Sequence, residues 1–160
     1  MGIDEMEPVR KKGTFTFRTA AVLFVLSAVF ELLSVTSEIP LFGAIRGGLS
    51  ADVYHIVYIL LFLALGVGLW SAKKWGYALV FLTTTLYTLD KLQFMLSEQA
   101  VNAFIATQMA GFENELQSQG IDAGLILETL VLMNIVVVLC WWGFAWYTYV
   151  RRDYFQTNNS

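Results

Sequence analysis

Residues 83–96 read TTTLYTLDKLQFML and place two adjacent charged side chains, Asp90 and Lys91, inside a run that otherwise has the composition of a membrane-spanning helix. A carboxylate and an ammonium at that depth are costly unless neighbouring groups satisfy them. The helices around this stretch are therefore expected to bring polar partners to it.

The composition of the whole chain indicates an integral membrane protein. Of its 160 residues, 57% are hydrophobic and only 14% are charged, whereas a typical soluble domain has about 25% charged residues. The charges cluster between long apolar runs, which is the pattern of several spanning helices. The length fits a single transmembrane domain over residues 1–160, without a separate soluble module.

Four apolar runs predict an all-α membrane protein, a bundle of four transmembrane helices. The spans are predicted over residues 17–37, 51–71, 75–96 and 123–150. Ile39-Pro40 is expected to stop the first helix, because the residue before a proline is disfavoured in the helical region. Residues 38–50 are then expected to form a loop.

Residues 97–119 predict an amphipathic helix between the third and fourth spans. Val101, Phe104 and Ile105 recur at helical spacing, with polar residues such as Glu98 and Asn102 between them. This spacing places the apolar side chains on one face of a helix. The helix either extends the third span beyond the membrane or lies on the membrane surface, and the sequence leaves both alternatives open.

The basic residues predict the topology, because cytoplasmic loops are enriched in lysine and arginine. In a four-span arrangement one side of the membrane holds Lys11, Lys12, Arg18, Lys73, Lys74, Arg151 and Arg152. The other side holds Arg46 and most of the acidic loop residues. Both termini are therefore expected in the cytoplasm, with the amphipathic helix on the outer side of a cell (inner) membrane.

Three carboxylates are predicted at similar depth in the outer half of the bundle. At 1.5 Å per residue, Glu31 lies ~10 Å, Asp90 ~9 Å and Glu128 ~8 Å from the outer ends of their helices. We interpret Glu31, Asp90, Lys91 and Glu128 as one polar layer, which serves either as an ion or proton site or as a structural element. Three further residues are accessory candidates near this level: Glu38, His55 and Tyr58.

The partner of Lys91 decides what this layer does. Successive helical residues lie about 100° apart, so Asp90 and Lys91 are not expected to point at the same spot. Lys91 is expected either to bridge to Glu31 or Glu128, with Tyr87 one turn away, or to extend toward the headgroups. Three carboxylates and one ammonium leave a charge of about −2, which predicts a protonated carboxyl or an added cation.

Several function classes lack their sequence signatures. The chain has a single cysteine, Cys140, so it can form neither an intramolecular disulfide nor a zinc site built on cysteines. Its single histidine is His55. No metal-ligand spacing and no catalytic motif is present, so no metal site is predicted and any cofactor is left unspecified. No basic patch predicts nucleic-acid binding. The expected partners are the lipid bilayer and a second copy of the chain or another membrane protein.

Two segments resemble a pattern of small prokaryotic four-span integral membrane proteins of unassigned function. Residues 66–79, GVGLWSAKKWGYAL, combine Gly-Leu-Trp, a basic turn and Trp-Gly, and residues 150–155, VRRDYF, close the last helix. The resemblance implies a four-helix fold and a location in the inner membrane. It implies no activity and no site.

The sequence favours a non-enzymatic subunit or accessory factor of a membrane assembly. No chemistry-bearing motif is present, the chain is small, and the amphipathic helix offers an apolar face to a partner. One alternative is a cation or proton channel or transporter that uses the carboxylate layer. Another is a membrane enzyme acting on lipid or quinone, which would need an open pocket at the level of that layer.

Overall fold

The computed structural model describes residues 12–41, 44–109 and 123–156. These residues form five α-helices, one two-stranded antiparallel sheet and one 3₁₀ turn. In chain order the elements are α1 Thr14–Leu33, β1 Ile39–Leu41, β2 Ala44–Arg46, α2 Leu49–Trp70, α3 Lys74–Met95, α4 Glu98–Met109, α5 Ala123–Val150 and the 3₁₀ turn Arg152–Phe155.

Three of these helices are long and apolar enough to cross a membrane, as expected of a membrane protein. They are Thr14–Leu33, Leu49–Trp70 and Gly124–Val150. Helix α3 is as long as α2, with 22 residues, but it carries Lys74, Asp90, Lys91 and a run of threonines and is not among the three. The prediction of a mostly helical membrane protein is therefore confirmed.

Helices α2 and α3 meet in a tight corner. Ala72 in the connecting turn has a φ of 53°. Beside it, Gly68 and Gly76 touch backbone to backbone, since a Cβ atom on Gly76 would lie 2.6 Å from the carbonyl carbon of Gly68. The Tyr154 hydroxyl donates a hydrogen bond to the Leu69 carbonyl at 3.0 Å. The 3₁₀ turn is thereby held against this corner.

An aromatic cluster joins α1 to α5 at the same end of the molecule. Phe17 is fully buried and stacks on Tyr154, with 4.6 Å between ring centroids. Phe24 lies 5.3 Å from Trp141 and 6.0 Å from Phe144. The part of α5 that precedes Trp141 includes three side chains that are more than 60% exposed: Leu132, Met133 and Leu139. Much of α5 is thus uncovered by the rest of the described chain.

The first helix ends four residues earlier than predicted. Helix α1 stops at Leu33, and the backbone N–H of Ser37 donates to the Ser34 carbonyl at 2.8 Å in the following turn. Serine and threonine side chains compete for backbone groups and favour such turns. Consequently Glu31 lies two residues, or about 3 Å, from the end of its helix, and not the ~10 Å expected from the sequence.

The predicted loop over residues 38–50 contains a β-hairpin. Ile39 pairs with Arg46, Pro40 with Ile45 and Leu41 with Ala44. The side-chain amide of Gln93 on α3 donates to the Pro40 carbonyl at 3.2 Å. The hairpin is thereby fixed to the end of α3, which the expectation of an irregular loop missed.

Helix α4 is a separate helix and does not extend α3. The helix is interrupted at Ser97, whose hydroxyl oxygen accepts a hydrogen bond from the backbone N–H of Ala100 at 3.2 Å. Such a side-chain acceptor satisfies a free donor at the start of a helix. Val101 and Ile105 are buried in a cluster with Phe94 of α3 and with residues of α5. The rest of the predicted amphipathic helix, residues 110–119, lies outside the described residues.

Candidate functional site

Glu31 of α1 and His55 of α2 form the first of two charged pairs. His55 Nδ1 lies 2.7 Å from Glu31 Oε1, and His55 Nε2 lies 3.2 Å from the Ser37 carbonyl oxygen. His55 is buried and Glu31 is half-buried. The histidine thus joins the turn after α1 to the carboxylate at the end of that helix.

The proton count of this pair follows from its partners. A carbonyl oxygen only accepts hydrogen bonds, so Nε2 of His55 must carry the proton that it donates to Ser37. The bond between Nδ1 and Glu31 then needs one more proton, which sits either on the ring nitrogen or on the carboxyl group. In both cases the Glu31–His55 pair has a net charge of zero.

Asp90 and Lys91 form the second pair. The Tyr54 hydroxyl donates to Asp90 Oδ2 at 3.0 Å, and Lys91 Nζ lies 3.3 Å from the same oxygen. The ammonium also lies 5.2 Å from the centre of the Tyr87 ring, one turn away. Tyr87 is the neighbour that the sequence suggested. The carboxylate partner is different, because the long lysine stem folds back to the adjacent Asp90 and reaches neither Glu31 nor Glu128.

Tyrosines of α2 connect the two pairs. The Tyr54 ring lies 4.6 Å from the Tyr58 ring and 5.7 Å from the His55 ring. Tyr58 is buried, as is His55. Sequence reasoning selected Tyr58 and missed Tyr54, although residues four apart share one helical face. That spacing was the available signal.

Two predicted residues lie away from this cluster. Glu128 is exposed on α5, and its carboxylate forms no ion pair or hydrogen bond with any described residue. Glu38 is exposed just before β1. The structure therefore brings together Glu31, Asp90 and Lys91 of the predicted layer and leaves Glu128 out of the cluster.

Charge balance changes the interpretation of the layer. Glu31 is neutralised by His55, and Asp90 by Lys91. The expected surplus of about two negative charges is thus absent from the cluster, and with it the electrostatic reason for an added cation. Among the described residues, no group of three or more histidine, cysteine, aspartate or glutamate side chains is placed to hold a metal ion.

An apolar groove of about 650 Å³ opens beside the Asp90–Lys91 pair. Its walls come from α3, α4 and α5 and include Phe94, Phe104, Ile126, Leu130 and Val137. Its polar edge consists of Tyr54, Asp90 and Lys91. The groove is therefore largely apolar with one ionic edge.

The other polar side chains of the groove are bonded within their own helix. Thr129 Oγ1 donates to the Leu125 carbonyl and Asn134 Nδ2 donates to the Leu130 carbonyl, both at 2.8 Å. Such back-bonding is usual for polar side chains in apolar helices. The Asp90–Lys91 edge is thus the part of the groove that carries charge.

Contacts between α3 and α5 close the groove on the side of the aromatic cluster. Trp142 Nε1 donates to Thr88 Oγ1 at 3.1 Å, and the Trp141 ring stacks on Tyr87 at 5.3 Å. These residues hold the two helices together two to three residues before Asp90 in the sequence of α3. The residues of α3 that line the groove, Asp90, Lys91 and Phe94, follow this contact.

Comparison of the chain with protein-family models, curated proteins and solved structures finds no match.

Proposed function

We propose that this chain is a four-span membrane protein, with both termini in the cytoplasm, that binds an amphiphilic molecule of the bilayer. It acts without catalysis, as a lipid-binding accessory factor or subunit of a membrane assembly. The observation that carries the proposal is the groove of about 650 Å³, whose apolar walls end at the Asp90–Lys91 pair.

The distribution of basic and aromatic residues supports the topology. Arg18, near the start of α1, lies 5.2 Å from the Trp70 ring at the end of α2. The start of α1, the α2–α3 corner with Lys73 and Lys74, and the end of α5 therefore share one end of the molecule. Basic residues favour the cytoplasmic side of a membrane, and tryptophan favours either membrane–water interface.

The properties of α3 support its assignment as a membrane span in addition to α1, α2 and α5. Its 22 residues extend about 33 Å, which matches a hydrocarbon core of ~30 Å. Thr84 and Thr88 donate to carbonyls one turn earlier in the helix, each at 2.7 Å. Asp90 and Lys91 satisfy each other. These partnered side chains are tolerated in an apolar environment, whereas the buried Thr83 hydroxyl of α3 has no hydrogen-bond partner among the described residues.

An amphiphile suits the groove better than a fully polar or fully apolar ligand. The hydrocarbon chain of the amphiphile packs against the apolar walls by van der Waals contact, which is the main source of apolar association inside a bilayer. A polar head satisfies the remaining hydrogen-bonding capacity of Asp90 and Lys91. Ligand sites commonly combine apolar walls with a few convergent polar groups in this way.

The groove and the charge balance favour binding over ion conduction. A cation or proton pathway draws its support from unbalanced carboxylates, and the Glu31–His55 and Asp90–Lys91 pairs are balanced. The open groove at the level of Asp90 is the feature expected of a protein that accommodates lipid or quinone-like molecules. Asp90 is already engaged by Tyr54 and Lys91, which suits recognition of a head group.

The test uses a photoactivatable monoacylglycerol in nonionic micelles of the purified protein. We expect its crosslinks to map to α5 residues of the groove, and we expect Met133→Trp to reduce labelling several-fold by filling the groove. Met133 lines the groove and is 63% exposed, so a larger side chain is accommodated without disturbing the core.

Leu132→Trp is the matched control. Leu132 is the preceding residue, is 61% exposed and does not line the groove. Labelling of this variant is expected to equal that of the unaltered protein. Equal labelling of the Met133→Trp and Leu132→Trp variants, or crosslinks spread evenly along all exposed helices, would reject the proposed binding site.

A further inference from the structure

We infer that the groove selects amphiphiles whose head group carries no net charge and offers both a hydrogen-bond donor and an acceptor, such as the hydroxyls of a glycerol ester. The inference rests on the proposed function, because it assumes that the groove holds an amphiphile. It adds a rule for the head group, which follows from the geometry of Asp90 and Lys91.

Asp90 and Lys91 retain hydrogen-bonding capacity that the described residues do not use. Tyr54 and Lys91 both approach the same oxygen of Asp90, Oδ2. Among the described residues, no hydrogen bond is made to the other oxygen, Oδ1. The ammonium of Lys91 has three N–H donors, of which one is directed at Asp90. The edge of the groove thus presents an acceptor and a donor side by side.

The neutral Asp90–Lys91 pair disfavours a head group with a net charge. The side chains of Asp90 and Lys91 are only 12% and 25% exposed, so water screens the pair weakly. A net-charged head group would add an uncompensated charge to a neutral pair in this setting, which is unfavourable. A hydroxyl-bearing head donates to Oδ1 and accepts from Lys91 without changing the net charge.

Among the described residues that line the groove, no further charged side chain compensates a charged head group. His55 and Glu31 balance each other at 2.7 Å, and the ring neighbours Tyr54, Tyr58 and Tyr87 are neutral side chains at neutral pH. Lys91 and Asp90 are therefore the charged side chains among the described lining residues of the groove. Removing either one should leave a single charge and invert the preference of the site.

The experiment displaces the photoactivatable monoacylglycerol with three competitors of equal chain length. They are a monoacylglycerol, an alkyl sulfonate and an alkyl trimethylammonium, so their charges do not depend on pH. The unaltered full-length protein is expected to bind the monoacylglycerol about tenfold more tightly than either charged competitor, a difference of about 1.4 kcal/mol.

Three variants test the charge rule. Asp90→Asn leaves Lys91 unbalanced and is expected to favour the sulfonate. Lys91→Gln leaves Asp90 unbalanced and is expected to favour the trimethylammonium. The double variant Asp90→Asn/Lys91→Gln is neutral again and is expected to regain the preference for the monoacylglycerol.

The outcomes separate this inference from the proposed function. Displacement by all three competitors alike in the unaltered protein overturns the charge rule, while binding in the groove stands. Failure of the unaltered protein to bind the photoprobe overturns the proposed function and the charge rule together. If the single variants do not fold, the ranking in the unaltered protein and in the double variant decides alone.

Discussion

Replacing the two members of the Glu31–His55 pair should have unequal effects on stability. In Glu31→Gln, the amide can donate to Nδ1 of a neutral His55, while Nε2 still donates to the Ser37 carbonyl. Both hydrogen bonds of the imidazole are thus retained. In His55→Leu, the carboxylate of Glu31 and the carbonyl of Ser37 both lose their partner.

The magnitudes follow from burial. Removing one member of a fully buried ion pair costs about 3–5 kcal/mol, but the Glu31 side chain is 23% exposed and is partly hydrated. We therefore expect His55→Leu to cost about 2–3 kcal/mol, including the loss of the bond to Ser37. Glu31→Gln replaces one hydrogen bond with another and should cost about 1 kcal/mol or less.

The assay is thermal unfolding of the purified protein in nonionic micelles, followed by tryptophan fluorescence. For a chain of this size, 1 kcal/mol corresponds to about 2–4 °C in Tm. His55→Leu should therefore lower Tm by at least about 4 °C, and Glu31→Gln by no more than about 4 °C. Glu38→Gln is the control, because Glu38 is exposed outside the helices, and it should leave Tm unchanged.

The test compares the loss of Tm in His55→Leu with the loss in Glu31→Gln. The reasoning is refuted if Glu31→Gln lowers Tm as much as His55→Leu, because an amide would then fail to replace the carboxyl group in a neutral pair. A large loss in Glu38→Gln would show that the carboxylates near this surface stabilise the fold by a different mechanism.

Two further predictions concern the corner between α2 and α3. Gly76→Ala should lower the free energy of unfolding by about 1–3 kcal/mol through overpacking, since its Cβ would lie 2.6 Å from the backbone of Gly68. Gly143→Ala is the control, because no atom lies within 4 Å of its Cβ, and it should leave Tm unchanged or raise it. Equal losses of Tm in both variants would contradict the close approach of the two helices. Burial raises the pKa of the Tyr154 hydroxyl above its ordinary value of 10.0, although nearby Arg18 opposes the shift. The neutral hydroxyl is therefore favoured by folding, so its contribution is fully present below pH 10 and is lost as the pH rises above it. Tyr154→Phe should flatten the decline of Tm between pH 10 and pH 11 (up to about one unit above the ordinary value), and an unchanged decline would assign it to other groups.

The positions of three long helices could be predicted closely from the sequence. The predicted spans over residues 51–71, 75–96 and 123–150 differ by at most two residues from α2, α3 and α5, because basic pairs and glycines mark where each apolar run ends. The end of α1 was misplaced, since the proline signal at Pro40 is strong and the competing turn at Ser34 is weak. The hairpin after it lacked any alternation of polar and apolar residues that predicts a strand.

The depth of Asp90 along its helix could be predicted from the sequence, whereas the depth of Glu31 and the directions of the side chains could not. Position along a helix follows from 1.5 Å per residue, and this placed Asp90 well inside an apolar helix. His55 was only an accessory candidate near the outer mouth of the bundle, and its burial was not predicted. The direction of a side chain depends on how each helix is rotated against its neighbours. Nothing in the apolar run around Glu128 indicates which side of α5 faces the protein, since nearly every position there is apolar.

The pairing of Lys91 with Asp90 determines what the charged residues of this protein can do. Had Lys91 reached Glu31, as its sequence position suggested, His55 would have lost its carboxylate and Asp90 its cation. The observed pairing instead gives Glu31 the imidazole of His55 and Asp90 the ammonium of Lys91, and it leaves the neutral Asp90–Lys91 edge facing an apolar groove. A neutral edge of this kind has little affinity for a free ion but retains donors and acceptors, which under the proposed function meet the head group of a bound amphiphile.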